Sequence, residues 1–137
     1  MSRPEDRLRP HPSERLTGPA VVLRLPEFAR ALDAEPHPAT KGHRQVSLAH
    51  RGPLRLVLFT LDAGGELPEH RAPGHVVIHC LEGQLDVGAA GRVERLGADD
   101  ALLLDPDVPH TVKALADSRM LLTVCLGPKP AEPPPPA

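Results

Sequence analysis

Short apolar runs, separated at regular intervals by glycine and proline, are the feature that most limits how this 137-residue chain folds. Runs rich in Val, Leu, Ile and Thr and bounded by turn residues are typical of β-strands. The predicted strands are residues 45–50, 54–61, 75–82, 85–87, 93–96, 101–104, 111–115 and 120–126. Because no helical pattern interrupts them, the chain is predicted to be an all-β antiparallel sandwich or barrel.

The segment ahead of these strands predicts one further strand and one short helix. Residues 21–25 are apolar enough for a first strand, and residues 26–32 begin with Pro26, which is tolerated at a helix start. Residues 1–20, rich in proline and charge, are predicted to be disordered or loosely draped over the domain. Residues 127–137 predict a proline-rich disordered tail, so one barrel domain is expected over residues 21–126.

Histidines stand at the mouth of a predicted hairpin. His70 and His75 come just before an apolar run, and the chain turns at Gly83 into a second strand. Residues 97–112 repeat this plan, with a short apolar strand, a proline-rich corner and then His110. Two units that each present a histidine at a strand entrance predict one shared pocket.

The spacing of these residues resembles that of the cupins, a family of small β-barrels. Gly64, His70 and Gly83 fall on the family's first motif, Gly-x5-His-x-His-x(3,4)-Glu-x6-Gly. Pro109 and His110 match the end of the corner in its second motif. The resemblance covers residues 45–126 and implies a double-stranded β-helix, the jelly-roll barrel of a small single-domain cupin.

The resemblance also implies a ligand set, from which this chain departs. In the family, three His and one Glu hold a divalent metal, whereas here Ala72 and Val76 replace the second His and the Glu. His70 and His110 match, and they could hold Fe, Mn, Ni or Zn with a non-standard third ligand, which His75 would supply if its loop folded back. In the alternative, the two histidines are remnants that bond to each other or to water.

Strand alternation assigns faces to residues 75–82. If Val76 faces inward, Ile78 and Cys80 also face inward, whereas His75 and His79 face outward. Together with a residue of the second unit, the inward side chains predict an apolar pocket lining: Val76, Ile78, Cys80 and Val112. Such a lining suits a small, mostly apolar molecule held by one or two imidazoles.

Charge and composition argue against several classes of partner. The net charge of −2 and the near absence of aromatic residues argue against binding to nucleic acid or to an anionic membrane. The charged N-terminus does not resemble a signal peptide, and no apolar run approaches a membrane span, so a cytoplasmic location is expected. Cys80 and Cys125 are expected to be buried free thiols, although a disulfide between them stays open.

Two hypotheses of function follow. The first is a cupin-like protein that binds or senses a small molecule without catalysis. This hypothesis is favoured because the only acidic residue of the family's ligand set, its Glu, is replaced here. The second is a small metal-dependent cupin enzyme, of oxygenase or isomerase type, that uses His70, His110 and another ligand. A homodimer is expected in either case, because an open edge strand has to be covered.

Overall fold

The computed structural model describes residues 17–127. Within that range one helix precedes nine strands. The elements are α1 (Leu25–Asp33), β1 (His43–Arg51), β2 (Leu54–Leu61), β3 (Glu66–His70), β4 (His75–Glu82), β5 (Gln84–Ala89), β6 (Arg92–Gly97), β7 (Ala101–Leu104), β8 (His110–Ala114) and β9 (Ser118–Cys125). The predicted disorder of residues 1–16 and 128–137 lies outside the described residues.

The strands form two antiparallel sheets. One sheet has five strands in the order β1-β2-β9-β4-β7, and the other has four in the order β3-β8-β5-β6. Apolar side chains from both sheets share one buried cluster, to which Ile78 and Met120 contribute from the first sheet and Leu85 and Val112 from the second. This arrangement confirms the predicted all-β jelly-roll barrel with one short N-terminal helix.

Helix α1 covers the outer face of the five-stranded sheet. Its buried residues Ala29 and Leu32 pack with Leu48 of β1 and Leu58 of β2 in a second apolar cluster. The predicted strand at residues 21–25 is wrong, because residues 21–24 form no strand and Leu25 is the first residue of the helix. Pro26 lies in the first turn of that helix, where the backbone N–H that proline lacks would have no partner within the helix.

Strand β3 was not predicted from the sequence. Of its five residues only Leu67 is buried, so the strand lacks the alternation that marks the others. It also contains Pro68, which is tolerated because β3 lies at the edge of its sheet. All eight strands predicted over residues 45–126 overlap an observed strand.

The two cysteines are both free thiols. Cys80 is buried, as expected, and burial raises the pKa of its thiol. Cys125 is exposed, so its predicted burial is wrong, and no disulfide joins the pair. Across residues 17–127, no helix has the length and apolar character needed to cross a membrane.

Candidate functional site

His70 and His110 meet at one end of the barrel. The two residues lie directly opposite each other where β3 pairs with β8. Their ring centroids are 4.2 Å apart, and the rings meet edge to face at 60°. Residues opposite each other in an antiparallel pair project from the same face of the sheet, so register alone brings these two distant positions together.

The pair extends from the surface into the barrel. His70 is exposed, whereas His110 is only 2% exposed. Around this end, Ala72, Ala89 and Val108 pack against the buried apolar cluster between the two sheets. One imidazole of the pair therefore faces solvent and the other faces an apolar interior.

Backbone carbonyls hold both rings in the same tautomer. The Nδ1 atom of His110 lies 2.9 Å from the carbonyl oxygen of Val108, and that of His70 lies 3.2 Å from the oxygen of Pro68. A carbonyl oxygen only accepts, so each Nδ1 carries the proton and donates it. In a neutral ring the lone pair then lies on Nε2.

The Nε2 atom of His110 is buried and has no hydrogen-bond partner among the described residues. Leaving a buried polar atom unpaired costs free energy, about 1–3 kcal/mol in typical cases. The unpaired Nε2 atom of His110 therefore favours binding of a ligand that brings a hydrogen-bond donor or a cation to the barrel entrance.

Burial keeps the imidazole ring of His110 neutral. Removal from water lowers the pKa of His110 below its ordinary value of 6.5; the bond to Val108 opposes this shift, and the nearby His70 adds to it. His110 is therefore neutral at pH 7, which keeps the Nε2 lone pair available.

The lowered pKa predicts a loss of stability in acid. The folded chain holds a proton on His110 less tightly than the unfolded chain does. Neutral His110 therefore makes its full contribution to the free energy of unfolding above pH 6.5. That contribution is lost as the pH falls below 6.5 and passes the lowered pKa of His110 in the folded chain. Urea unfolding at about pH 7.5 and about pH 5.5 should show a larger loss for the wild type than for His110→Gln. Equal losses in both proteins would contradict the neutral assignment.

The remaining predicted site residues divide between the two faces of β4 and its neighbours. Val76, Ile78, Cys80 and Val112 are buried in the interior cluster, with exposed fractions of 2% or less. His75 is exposed and lies 3.8 Å from Asp105. The structure does not bring His75 to the His70–His110 pair, because alternation along β4 turns it away from the interior.

The donor set does not fit the metal site that the fold family implies. Two imidazoles face one another, but Ala72 and Val76 occupy the other two ligand positions and offer no donor atom. Among residues 17–127, no three His, Cys, Asp or Glu side chains come together in a way that could hold a metal ion. Metal centres of catalytic type use about three protein ligands, so two histidines alone fall short.

Sequence reasoning missed Arg92 and Glu94, two charged residues on the barrel side of β6. Cross-strand pairing places Ala89 opposite both His110 and Arg92. Arg92 therefore projects from the same face as the histidine pair, and Glu94 does so one pair further in, opposite Val87. The signal was present in Leu96, whose apolar side chain fixes the inward face of β6 and, by alternation, that of Glu94 and Arg92.

Comparison with known proteins identifies the family. The model of the cupin domain matches residues 57–126, which is just over half of the chain. No curated protein sequence matches the chain.

Solved structures share the fold at low sequence identity. A conserved protein of unknown function from Streptococcus pyogenes superposes with a TM-score of 0.65 at 22% identity, covering 82% of this chain and 93% of that one. KdgF from Halomonas sp. gives 0.60 at 23% identity, covering 68% and 86%. Salicylate 1,2-dioxygenase from Pseudoaminobacter salicylatoxidans gives 0.69 at 22% identity, covering 90% of this chain but 37% of the enzyme. The family match and the observed fold agree, and this chain belongs to the cupin domain family.

Proposed function

We propose that this cupin-domain protein binds a small, mostly apolar molecule at the histidine end of its barrel, in a binding or sensing role without catalysis. The observation that carries the proposal is the buried Nε2 atom of His110, which lacks a hydrogen-bond partner among the described residues. A ligand with an O–H or N–H group would satisfy this acceptor. The rest of the ligand would pack against Val76 and Val112 on the two facing sheets.

The residues at the family's ligand positions favour binding over catalysis. Val76 stands where the family's acid would be, so no carboxylate is supplied there as a general base or as a charge for a cation. Among the similar structures, one is a dioxygenase and another has no known function, so the fold leaves both roles open. The homodimer and the cytoplasmic location stay predictions.

Benzamide is a suitable probe because it joins a small apolar ring to an N–H donor. We expect saturable shifts of the His70 and His110 ring signals when benzamide is titrated into ¹⁵N-histidine-labelled protein. His110→Leu should weaken binding about tenfold, because the ligand loses its acceptor. The matched control is His79→Leu, since His79 lies on the outer side of β4, 3.7 Å from Asp99, and should leave the affinity unchanged.

Two results would overturn the proposal. One is benzamide binding that His110→Leu and His79→Leu weaken equally. The other is about one equivalent of Fe, Mn, Ni or Zn per chain after metal-replete expression, which would restore the metal-dependent alternative. Urea unfolding of each variant shows whether its loss of binding reflects loss of the fold.

A further inference from the structure

We infer that the ligand of this site carries an anionic group, such as a carboxylate, and that Arg92 receives it. This inference rests on the proposed function, because it concerns the same barrel entrance. It adds a charged contact to the hydrogen-bond contact at His110, and so it narrows the ligand class to small apolar anions.

The register of the four-stranded sheet carries the inference. One continuous row crosses the sheet through four strands, formed by His70, His110, Ala89 and Arg92. Neighbouring strands lie about 4.8 Å apart, so Arg92 stands about 10 Å from His110 across the small side chain of Ala89. Both side chains extend from the same face of the sheet, so a molecule the size of 4-hydroxybenzoate could bridge them, and only the small side chain of Ala89 lies between them in this row.

Arg92 is the guanidinium that lies in the same register row as His110, and its side chain has no competing partner among the described residues. Among the described residues, Arg92 makes no ion pair and no side-chain hydrogen bond, and it is exposed. In the five-stranded sheet, Arg55 pairs with Val124, which in turn pairs with Val76. Arg55 donates to the carbonyl oxygens of Gly52 and Leu54. Arg95 projects from the opposite side of β6 and pairs with Asp86 at 2.9 Å.

Glu94 fixes the depth at which the anionic group binds. It lies two residues along β6 from Arg92, so its side chain projects from the same face, one row further into the barrel. An anion beside Glu94 would be repelled, whereas one beside Arg92 would be attracted. The charged end of the ligand therefore lies at the rim, and its apolar part points inward.

The test compares 4-hydroxybenzoate with 4-hydroxybenzamide, which share a shape and an O–H donor for His110 and differ in charge. We expect 4-hydroxybenzoate to bind the wild-type protein about tenfold more tightly than 4-hydroxybenzamide, because a charge-assisted contact at Arg92 adds to the same packing and the same hydrogen bond. Arg92→Gln should remove most of this preference while leaving 4-hydroxybenzamide binding intact. Arg95→Gln removes the same charge from the other side of the same strand and should change neither affinity.

The outcomes separate this inference from the proposed function. If 4-hydroxybenzamide binds as tightly as 4-hydroxybenzoate, or if Arg92→Gln and Arg95→Gln weaken 4-hydroxybenzoate binding equally, the anionic assignment is overturned and the proposed function stands. If neither probe binds, both are overturned. Repeating the titration at high salt supports the assignment if the preference for 4-hydroxybenzoate falls, since an exposed charge contact is screened.

Discussion

Replacing Leu85 with alanine should lower the free energy of unfolding by about 3 kcal/mol. Leu85 is fully buried on β5 and belongs to the apolar cluster between the two sheets. The substitution removes buried methyl and methylene groups and leaves a cavity, because a closed sheet relaxes only in part around the gap. Urea unfolding at neutral pH measures the change.

Leu103→Ala is the matched control, since it removes the same atoms from a side chain that is 76% exposed. Its effect should stay within about 0.5 kcal/mol. An equally small effect of Leu85→Ala would mean that the interior is not packed as described, and the apolar lining beside His110 would lose its support.

Replacing Gly83 with alanine should destabilise the fold by roughly 3 kcal/mol. Gly83 joins β4 to β5 with a φ of +88°, a conformation that strains any residue with a Cβ. The added Cβ would also collide with the hydroxyl of Ser118 and the carbonyl oxygen of Asp117. That hydroxyl accepts the N–H of Gln84 at 3.1 Å, so it cannot move aside without losing a hydrogen bond.

Gly64→Ala separates the two causes. Gly64 has a similar φ of +83°, but an added Cβ there meets nothing within 4 Å. Its cost should be about 1 kcal/mol, which is the backbone strain alone. If both variants lowered the free energy of unfolding equally, the close approach of Gly83 to Ser118 would not contribute to the cost of Gly83→Ala.

The fold could be predicted from the sequence because glycine and proline mark the turns between its apolar strands. In β4, alternation correctly separated the buried Val76 and Ile78 from the exposed His75. Two segments broke the local rules. Within residues 21–25, Leu23 and Leu25 pack against the cluster beneath the helix and do not form a strand. Strand β3 is an exposed edge strand with a proline, so its sequence lacks the alternation of a half-buried strand.

The site could be predicted only in part, because its geometry depends on register. The sequence indicated His70 and His110, yet their edge-to-face contact follows from the pairing of β3 with β8. Arg92 was missed because its place beside the pair depends on three successive strand pairings. No local pattern encodes such a row, since strand order in a barrel is set by long-range packing.

His110 and the apolar interior beside it form the proposed ligand site. Intermolecular nuclear Overhauser effects in the protein–benzamide complex test this proposal, because they report which protons lie close to the probe. We expect contacts from the benzamide ring to the methyl groups of Val76 and Val112 and to the His110 ring. Contacts to the exposed methyl groups of Val93 or Leu103 instead would contradict it.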